Sequence, residues 1–325
     1  MIVVDVDSAS LARLRLTPSP AQELVSWLRL TATGRRHPLY GDPGAAARSA
    51  LLDRDVVLTA QVLTADGYVP DLLTPKPPTG STRTLADQLE MAAETPAEEV
   101  VAQCNAHRPS ASRLSAKVRS AAESGEFARR AARGMRIFWT AALADGWTAL
   151  CATLEADIDR RSRELARTGC GQLLNSLHPS LRWCGDRVEV HKPYELHARL
   201  SGADLVLAPS ALSWPSLAVQ LIDPADSVIS YPVGQVGGRP EVRTTGNSGV
   251  RDLVGPSRAR LLRYLADPCS TSELSLRTGL APGTVSHHLG VMLRSGLLVR
   301  QRNGRTVLYR RNERGDNLVS QSSAV

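Results

Sequence analysis

Long apolar runs are missing from this chain of 325 residues. No stretch approaches the ~20 consecutive apolar residues that a membrane-spanning helix needs. The first residues, Met1 to Asp5, also lack the basic segment followed by an apolar one that marks a secretory signal. These absences argue against a secreted or membrane-embedded protein, so we expect a cytoplasmic protein with no membrane partner.

Cysteine is scarce: the chain has five, an odd number, widely spaced along the sequence. Such usage is typical of a reducing compartment and not of a disulfide framework. One region does hold several residues of metal-ligating type, namely Cys170, His178, Cys184, His191 and His197. No pair among them has the close spacing that is usual in zinc sites. We therefore expect no metal site and no cofactor.

The sequence also lacks the common catalytic motifs. The glycine-rich stretch Gly234-Gln235-Val236-Gly237-Gly238 does not follow the dinucleotide fingerprint, and neither a P-loop nor a Gly-x-Ser-x-Gly elbow occurs. His107, His178 and the scattered carboxylates are ordinary for a chain of this size. We expect a protein that is not an enzyme.

Lysine is absent from the last part of the chain, where arginine is abundant. Between Arg251 and Val325 the sequence has 12 arginines, no lysine and five acidic residues, a net charge of +7. The other 250 residues hold 27 basic and 27 acidic residues. The whole positive excess therefore lies in one region, as binding to nucleic acid by counterion release requires.

Within this basic region, three helices are predicted in succession. Leu261, Leu262 and Leu265 recur at helical spacing and predict a helix over 257–266. Ser270-Thr271-Ser272-Glu273 is a capping box that begins a second, short helix.

Pro282 opens the third helix, and Gly296 ends it. One face of this helix is apolar, with Val285, Leu289, Met292 and Leu293. Its opposite face is short and polar at the N-terminal end, which suits close approach to base edges and phosphates.

Two strand patterns follow the third helix. The segments 297–302 and 305–310 flank Asn303-Gly304, the preferred pair for a tight type I′ hairpin. The order of elements predicts a winged helix-turn-helix, with a recognition helix for the major groove and a basic wing for the flanking backbone or minor groove.

The segment Thr284-Val285-Ser286-His287-His288-Leu289, with the helix end and hairpin that follow to Arg310, closely resembles the DNA-binding core of ArsR-type bacterial repressors. The resemblance covers about a fifth of the chain and implies a homodimer on a palindromic operator. The chain departs from this family at one place. The founding metal sensors carry a Cys-x-Cys pair in the second helix, where this chain has Ser272-Glu273-Leu274-Ser275-Leu276. The region before the motif resembles the long N-terminal domain attached to such motifs in actinobacterial regulators.

The winged helix-turn-helix pattern predicts which residues of the third helix and of the wing contact double-stranded DNA. The candidates on the third helix are Gly283, Thr284, Ser286, His287 and Arg294, and those on the wing are Arg302, Asn303, Arg305 and Tyr309. His288 is instead predicted to pack beside Leu289.

The region before the motif is predicted to be helical first and sheet-bearing second, which makes the chain α+β. A strand over 2–6 and a helix over 8–16 come first, and 85–168 is mostly helical. The hairpin around Gly185-Asp186 and the buried strands 205–209 and 228–232 follow. The predicted domains are 1–245, with a break or exposed loop at 74–80, then 246–315 and a flexible tail at 316–325.

A helix-turn-helix needs no companion of this size, so the first domain has a further role. Dimerisation is the simplest, since two half-sites require a fixed spacing of recognition helices. Phe138, Trp139 and Trp147 are candidates to line an effector pocket for a small molecule, or else pack as ordinary core. Arg160, Arg161, Arg163 and Arg167 either complement a helix dipole or contact phosphates.

Together these features predict a homodimeric, sequence-specific transcriptional repressor, modulated by an effector in its first domain. Two alternatives stay open. The winged helix is a scaffold for protein contacts, or the protein is a metal-responsive repressor with a non-standard site.

Overall fold

The computed structural model describes residues 1–37, 40–63, 68–80, 85–105, 114–192, 195–213, 216–221, 227–233, 254–265, 268–278, 280–303 and 306–321. The chain forms two compact units, Met1–Pro232 and Val233–Val325. The predicted boundary at 245/246 and the glycine-rich stretch 234–238 lie outside the described residues. Helices combine with small sheets, so the fold is α+β, as the sequence predicts.

The first unit begins with a strand and continues with helices. Its described helices are α1 (Ser8–Ala12), α2 (Pro20–Ala32), α3 (Gly44–Ala50), α4 (Arg54–Ala60), α5 (Leu85–Ala93), α6 (Ala97–Asn105), α7 (Ala116–Glu123), α8 (Phe127–Ala142) and α9 (Trp147–Leu177). Its described strands are β1 (Ile2–Val6), β2 (Arg15–Leu16), β3 (Leu181–Trp183), β4 (Arg187–Val190), β5 (Leu196–Leu200), β6 (Val206–Ser210), β7 (Ala218–Gln220) and β8 (Val228–Pro232).

Helices α2 to α8 enclose one hydrophobic core. Leu24 and Leu28 of α2 are fully buried there with Met135 of α8. Gly134 of α8 lies so close to the backbone of Asp55 in α4 that a Cβ would collide with it. The carboxylate of Asp55 is buried and pairs with Arg130 at 2.8 Å and with Arg133 at 2.6 Å. Close packing and this paired charge together hold α4 against α8.

A second core lies around two four-stranded sheets. The first has the order β3-β4-β1-β5, in which β1 is antiparallel to β4 and parallel to β5. The second has the order β2-β6-β8-β7, in which β2, β6 and β8 are parallel. All five residues of β6 and of β8 are buried, which confirms both predicted buried strands. The predicted hairpin is confirmed as β3 and β4.

Two elements differ from the sequence prediction. The helix predicted over 8–16 ends at Ala12, because Arg15 and Leu16 pair with Val206 and Leu207 as strand β2. The long helix α9 continues past Arg167 to Leu177, with non-helical dihedral angles at Gly169 (φ 80°). Positive φ is unstrained at glycine, so the helix changes direction there without ending.

The connection at 74–80 is predicted from its composition to be an exposed loop or a break between subdomains. In the structure Thr74 is buried and donates to Gln220 at 3.1 Å, and Lys76 pairs with Asp204 at 2.7 Å. Both contacts tie its first residues to the sheet-bearing part.

The second unit is small. Its described elements are α10 (Pro256–Tyr264), β9 (Cys269–Ser270), α11 (Thr271–Thr278), α12 (Pro282–Arg294), β10 (Leu298–Asn303), β11 (Thr306–Arg311) and α13 (Glu313–Gln321). The three strands form a sheet of order β10-β11-β9. Its core is made by buried residues in or directly after the three helices α10 to α12 and in the strands β9 and β10, namely Ala259, Leu261, Leu262, Leu265, Cys269, Leu274, Val285, Leu289, Met292 and Leu298.

The described part of the predicted flexible tail, 316–321, is helical, since α13 runs from Glu313 to Gln321, and 322–325 lie outside the described residues. Leu318 and Val319 pack against the core of the second unit. Gly315 lies against the carbonyl oxygen of Leu297, where a Cβ would collide. The composition of the tail is polar, but these few contacts are enough to dock it.

Within the described part of the chain, no single helix is long and apolar enough to cross a membrane. One bent pair of helical segments, Phe127–Ala142 with Ala144–Leu177 at 61°, has the required length and composition when both are counted together.

Candidate nucleic-acid interface

The turn between α11 and α12 is held by short-range hydrogen bonds. The Ser270 hydroxyl accepts from the N–H of Glu273 at 3.1 Å and caps α11, as the capping box predicts. At the other end, the Ser275 hydroxyl donates to the carbonyl of Leu280 at 2.6 Å. Pro282 then begins α12 in the first turn, where its missing N–H costs nothing. Residues within the motif therefore fix the start of α11 and the turn that leads into α12.

Helix α12 has one buried and one exposed face. Val285, Leu289 and Met292 are buried in the core of the second unit, which confirms the predicted apolar stripe. The opposite side is exposed and carries the predicted contact residues Gly283, Thr284, Ser286, His287 and Arg294. The structure thus places all five together on one helix face.

Gly283 lies beside open space, because a Cβ built on it would meet no atom of a more distant residue within 4 Å. No contact among the described residues requires a glycine there. Gly283 lies in the first turn of the helix, and it has no side chain to obstruct access to its backbone N–H. Such an N–H is suited to contact with a phosphate.

The two adjacent histidines of α12 differ in environment. His287 is exposed, whereas His288 is half-buried, and their rings lie 5.7 Å apart at 66°. Burial, and then the nearby Arg258 and His287, lower the pKa of His288 below its usual value. His288 is therefore neutral at neutral pH, in agreement with its predicted packing role.

The hairpin of β10 and β11 follows α12, where the sequence predicts a wing, and the name wing is kept for it. Arg300 is opposite Tyr309, and Arg302 is opposite Val307, so these four side chains share one face of the hairpin. Arg300 and Arg302 are exposed. Gly304, Arg305 and the side chain of Asn303 lie outside the described residues. Arg300 is not among the residues predicted from the sequence, although the two-residue alternation along β10 places it on the face of Arg302.

Tyr309 contributes to the packing of the second unit. It is half-buried and packs against the core of the second unit, opposite Cys269 in β9. Its predicted phosphate contact would use the hydroxyl at the edge of this packed ring.

Near the wing, one arginine is buried and another is largely enclosed in an ion pair. Arg310 is 1% exposed, and Arg311 pairs with Asp316 of α13 at 3.1 Å. The charge count of this region therefore overstates the arginines available to a ligand, and the exposed set on the wing is Arg300 and Arg302 among the described residues.

The predicted effector residues fall on α8 and at the start of α9. Phe138 is fully buried in the helical core, and Trp139 packs against that core. The rings of Trp139 and Trp147 lie 4.9 Å apart at 58°. The structure therefore brings the two tryptophans into contact, and the pocket itself stays a prediction.

Among the arginines near the middle of α9, Arg161 is buried and Arg160 makes an ion pair, while Arg163 and Arg167 are exposed. Arg161 is 4% exposed and donates to Glu164 at 2.9 Å and to Ser176 at 2.7 Å. Arg160 pairs with the buried Asp157. Among the described residues, no group of three His, Cys, Asp or Glu side chains has an arrangement that could hold a metal ion.

Comparison with known families supports the assignment of the second unit. Residues 254–301 match the model of a helix-turn-helix domain. Residues 138–237 match the model of a family of unknown function, DUF5937. No curated protein and no solved structure matches the chain significantly. The helix-turn-helix match and the exposed face of α12 indicate a DNA-binding transcription regulator.

Proposed function

We propose that the protein is a cytoplasmic, homodimeric repressor of ArsR type that binds a palindromic operator and is modulated by a small molecule in its first unit. It needs no metal or cofactor and is not an enzyme. The observation that supports this most strongly is the exposed face of α12 beside a wing with exposed arginines.

The proposal assigns a role to each element. Helix α12 enters the major groove and contacts bases and phosphates through Thr284, Ser286 and His287. The wing lies over the flanking backbone, with Arg300 added to the predicted Arg302 and Arg305. Arg294, at the last turn of α12, is exposed and contacts a phosphate at the edge of the groove.

The experiment that tests the proposal is fluorescence anisotropy of the protein on its own upstream DNA, beside a scrambled duplex, at three salt concentrations. We expect tight binding of two protomers to the native duplex alone. Equal and strongly salt-dependent binding to both duplexes would leave a basic surface without sequence preference. Absence of binding at low salt would contradict the DNA function and favour the scaffold alternative.

The same assay tests the metal-responsive alternative. Operator affinity is measured after treatment with a chelator and after addition of zinc. We expect no change, because the soft-metal Cys-x-Cys pair is replaced by Ser272 to Leu276. A change in affinity with zinc would restore the metal-responsive interpretation.

A further inference from the structure

A cleft of about 720 Å³ lies on the helical part of the first unit, between α4, α7 and α8. Its volume is within the range of about 300–1,000 Å³ that is typical of small-molecule sites. Phe138, Trp139 and Trp147 do not line it. It is therefore a separate place from the predicted effector pocket.

The floor of the cleft is apolar. Val57 and Leu58 of α4 form one side, and Ala121 of α7 forms the other. Leu58 is 3% and Ala121 4% exposed, so both belong to the packed core, and the half-buried Val57 presents more of the apolar surface. Such a surface favours the apolar body of a ligand because it removes that body from water.

The edge of the cleft is cationic. The charged side chains that line it are Arg54, Lys117, Arg130 and Glu126, which together carry a net charge of +2. Arg54 and Lys117 are exposed. The guanidinium of Arg130 is held in place by the buried carboxylate of Asp55 at 2.8 Å, and that carboxylate also pairs with Arg133. Arg130 also lies 3.9 Å from the carboxylate of Glu126, so its charge is offset within the protein. The excess positive charge at the cleft comes from Arg54 and Lys117.

From this combination we infer that the cleft binds an organic anion, namely a carboxylate with an apolar body. The apolar part lies on Val57, Leu58 and Ala121, and the carboxylate faces Lys117 and Arg54. The cationic edge and the apolar floor together distinguish this ligand class from a neutral lipid or an organic cation. That the bound anion also changes operator affinity rests on the proposed function.

Binding is measured on the full-length protein without DNA, so its outcome does not depend on the regulator function. The probe is the fluorescent anion anilinonaphthalene sulfonate, displaced by decanoate, by decanol or by decyltrimethylammonium. We expect decanoate to displace it and the other two to have little effect. Equal displacement by the organic cation would overturn the inference.

Two variants locate the probe. Lys117→Glu should weaken decanoate binding by about tenfold, the reduction expected when one charge-assisted hydrogen bond is removed. Arg129→Glu is the matched control, because Arg129 is exposed on α8 outside the cleft and the change in charge is the same. Ser120 is exposed and lines the cleft, so Ser120→Trp should block it without disturbing the core. Unchanged binding in both Lys117→Glu and Ser120→Trp would place the probe elsewhere and overturn the site.

The effect of the bound anion on DNA binding is measured separately, as operator affinity with and without decanoate. Decanoate should change the affinity for operator DNA in the wild-type protein and not in Ser120→Trp. If the wild-type affinity is unchanged although decanoate binds, the effector role is overturned. A protein that binds decanoate but no DNA contradicts the proposed regulator and not the site.

Discussion

The hydroxyl of Tyr231 donates a hydrogen bond of 2.9 Å to the buried carboxylate of Asp157. Tyr231 is in β8, the last described strand of the first unit, and Asp157 is in α9. Burial, with the neighbouring Asp157 charge, raises the pKa of Tyr231 well above its ordinary value, so the hydroxyl stays a donor. This bond connects the second sheet to the long helix.

Removal of that hydroxyl should destabilise the first unit. Tyr231→Phe leaves one oxygen of Asp157 without its donor inside the core, at a cost of about 1–3 kcal/mol. Thermal or urea unfolding measures this decrease in stability. Tyr264→Phe is the control, because no hydrogen bond of its hydroxyl occurs among the described residues and its stability should change little. Equal stability of Tyr231→Phe and the wild type would show that the bond contributes nothing.

Stability of the first unit should depend on pH through Glu23. This side chain is fully buried and accepts from the N–H groups of Ala211 and Leu212 at 3.1 and 2.9 Å. Burial outweighs these bonds and raises the pKa of Glu23 from 4.5 to about 7. The folded state therefore holds a proton that the unfolded state has released, and stability falls as pH rises from 4.5 to about 7.

Glu23→Gln removes this titration, although its single carbonyl oxygen can accept from only one of the two N–H groups, because Ala211 and Leu212 donate to different oxygens of Glu23. The lost acceptor shifts stability equally at every pH, so the pH dependence of the difference still reports the titration of Glu23. Each pKa unit corresponds to about 1.4 kcal/mol, so the variant should gain up to about 3 kcal/mol relative to the wild type between low and neutral pH. Urea unfolding of both proteins at pH values across this window gives the difference. A difference that does not vary with pH would show that Glu23 stays ionised throughout.

Arginines of the wing should contribute to DNA affinity without sequence preference. Arg300→Ala and Arg302→Ala should each weaken binding to every duplex and reduce the slope of log affinity against log salt by about one. Arg305→Ala tests the remaining predicted contact in the same way. Arg129→Ala, in the first unit, is the control. Unchanged slopes in all three wing variants would remove the wing from the interface.

Side chains of α12 that read bases should behave differently from the wing. Ser286→Ala and His287→Ala should each reduce discrimination between the native and scrambled duplexes, by roughly 1–3 kcal/mol where the side chain binds a base edge. Anisotropy on both duplexes at one salt concentration measures this. Ser295→Ala, exposed beyond the end of α12, should leave discrimination intact. A uniform decrease in affinity on both duplexes would reassign these side chains to phosphates.

Two glycines of the second unit should respond in opposite ways to the same change. Gly315→Ala places a Cβ against the Leu297 carbonyl, so we expect α13 to detach or shift at a cost of about 1–3 kcal/mol. Gly283→Ala meets open space and should leave stability within about 0.5 kcal/mol. If Gly283 approaches a phosphate, its variant instead binds DNA more weakly. Unfolding and anisotropy on both variants separate the two effects, and a stable Gly315→Ala would contradict the close approach.

Local signals in the sequence were sufficient to predict the helix-turn-helix. The Ser270 cap, Pro282 at the start of α12 and Gly296 after its end act over three or four residues, and φ at Gly296 is 68°. The apolar stripe with Val285 and Leu289 depends only on helical periodicity. Because these causes are local, the sequence by itself determined the order of helices and hairpin, and the face of α12 that stays exposed.

Strand β2, the burial of individual arginines and the cleft depend instead on contacts between residues that are far apart in the sequence. Arg15 and Leu16 form a strand because β6 offers them a partner, although the chain around them has helical character. Arg310 is buried and Arg300 is exposed, although both are in the same hairpin. A count of charged residues cannot distinguish them and assigns both to a basic surface. The cleft exists because α4, α7 and α8 pack with a gap between them. Pairing, burial and gaps of this kind depend on which segments meet, and only the tertiary structure decides that.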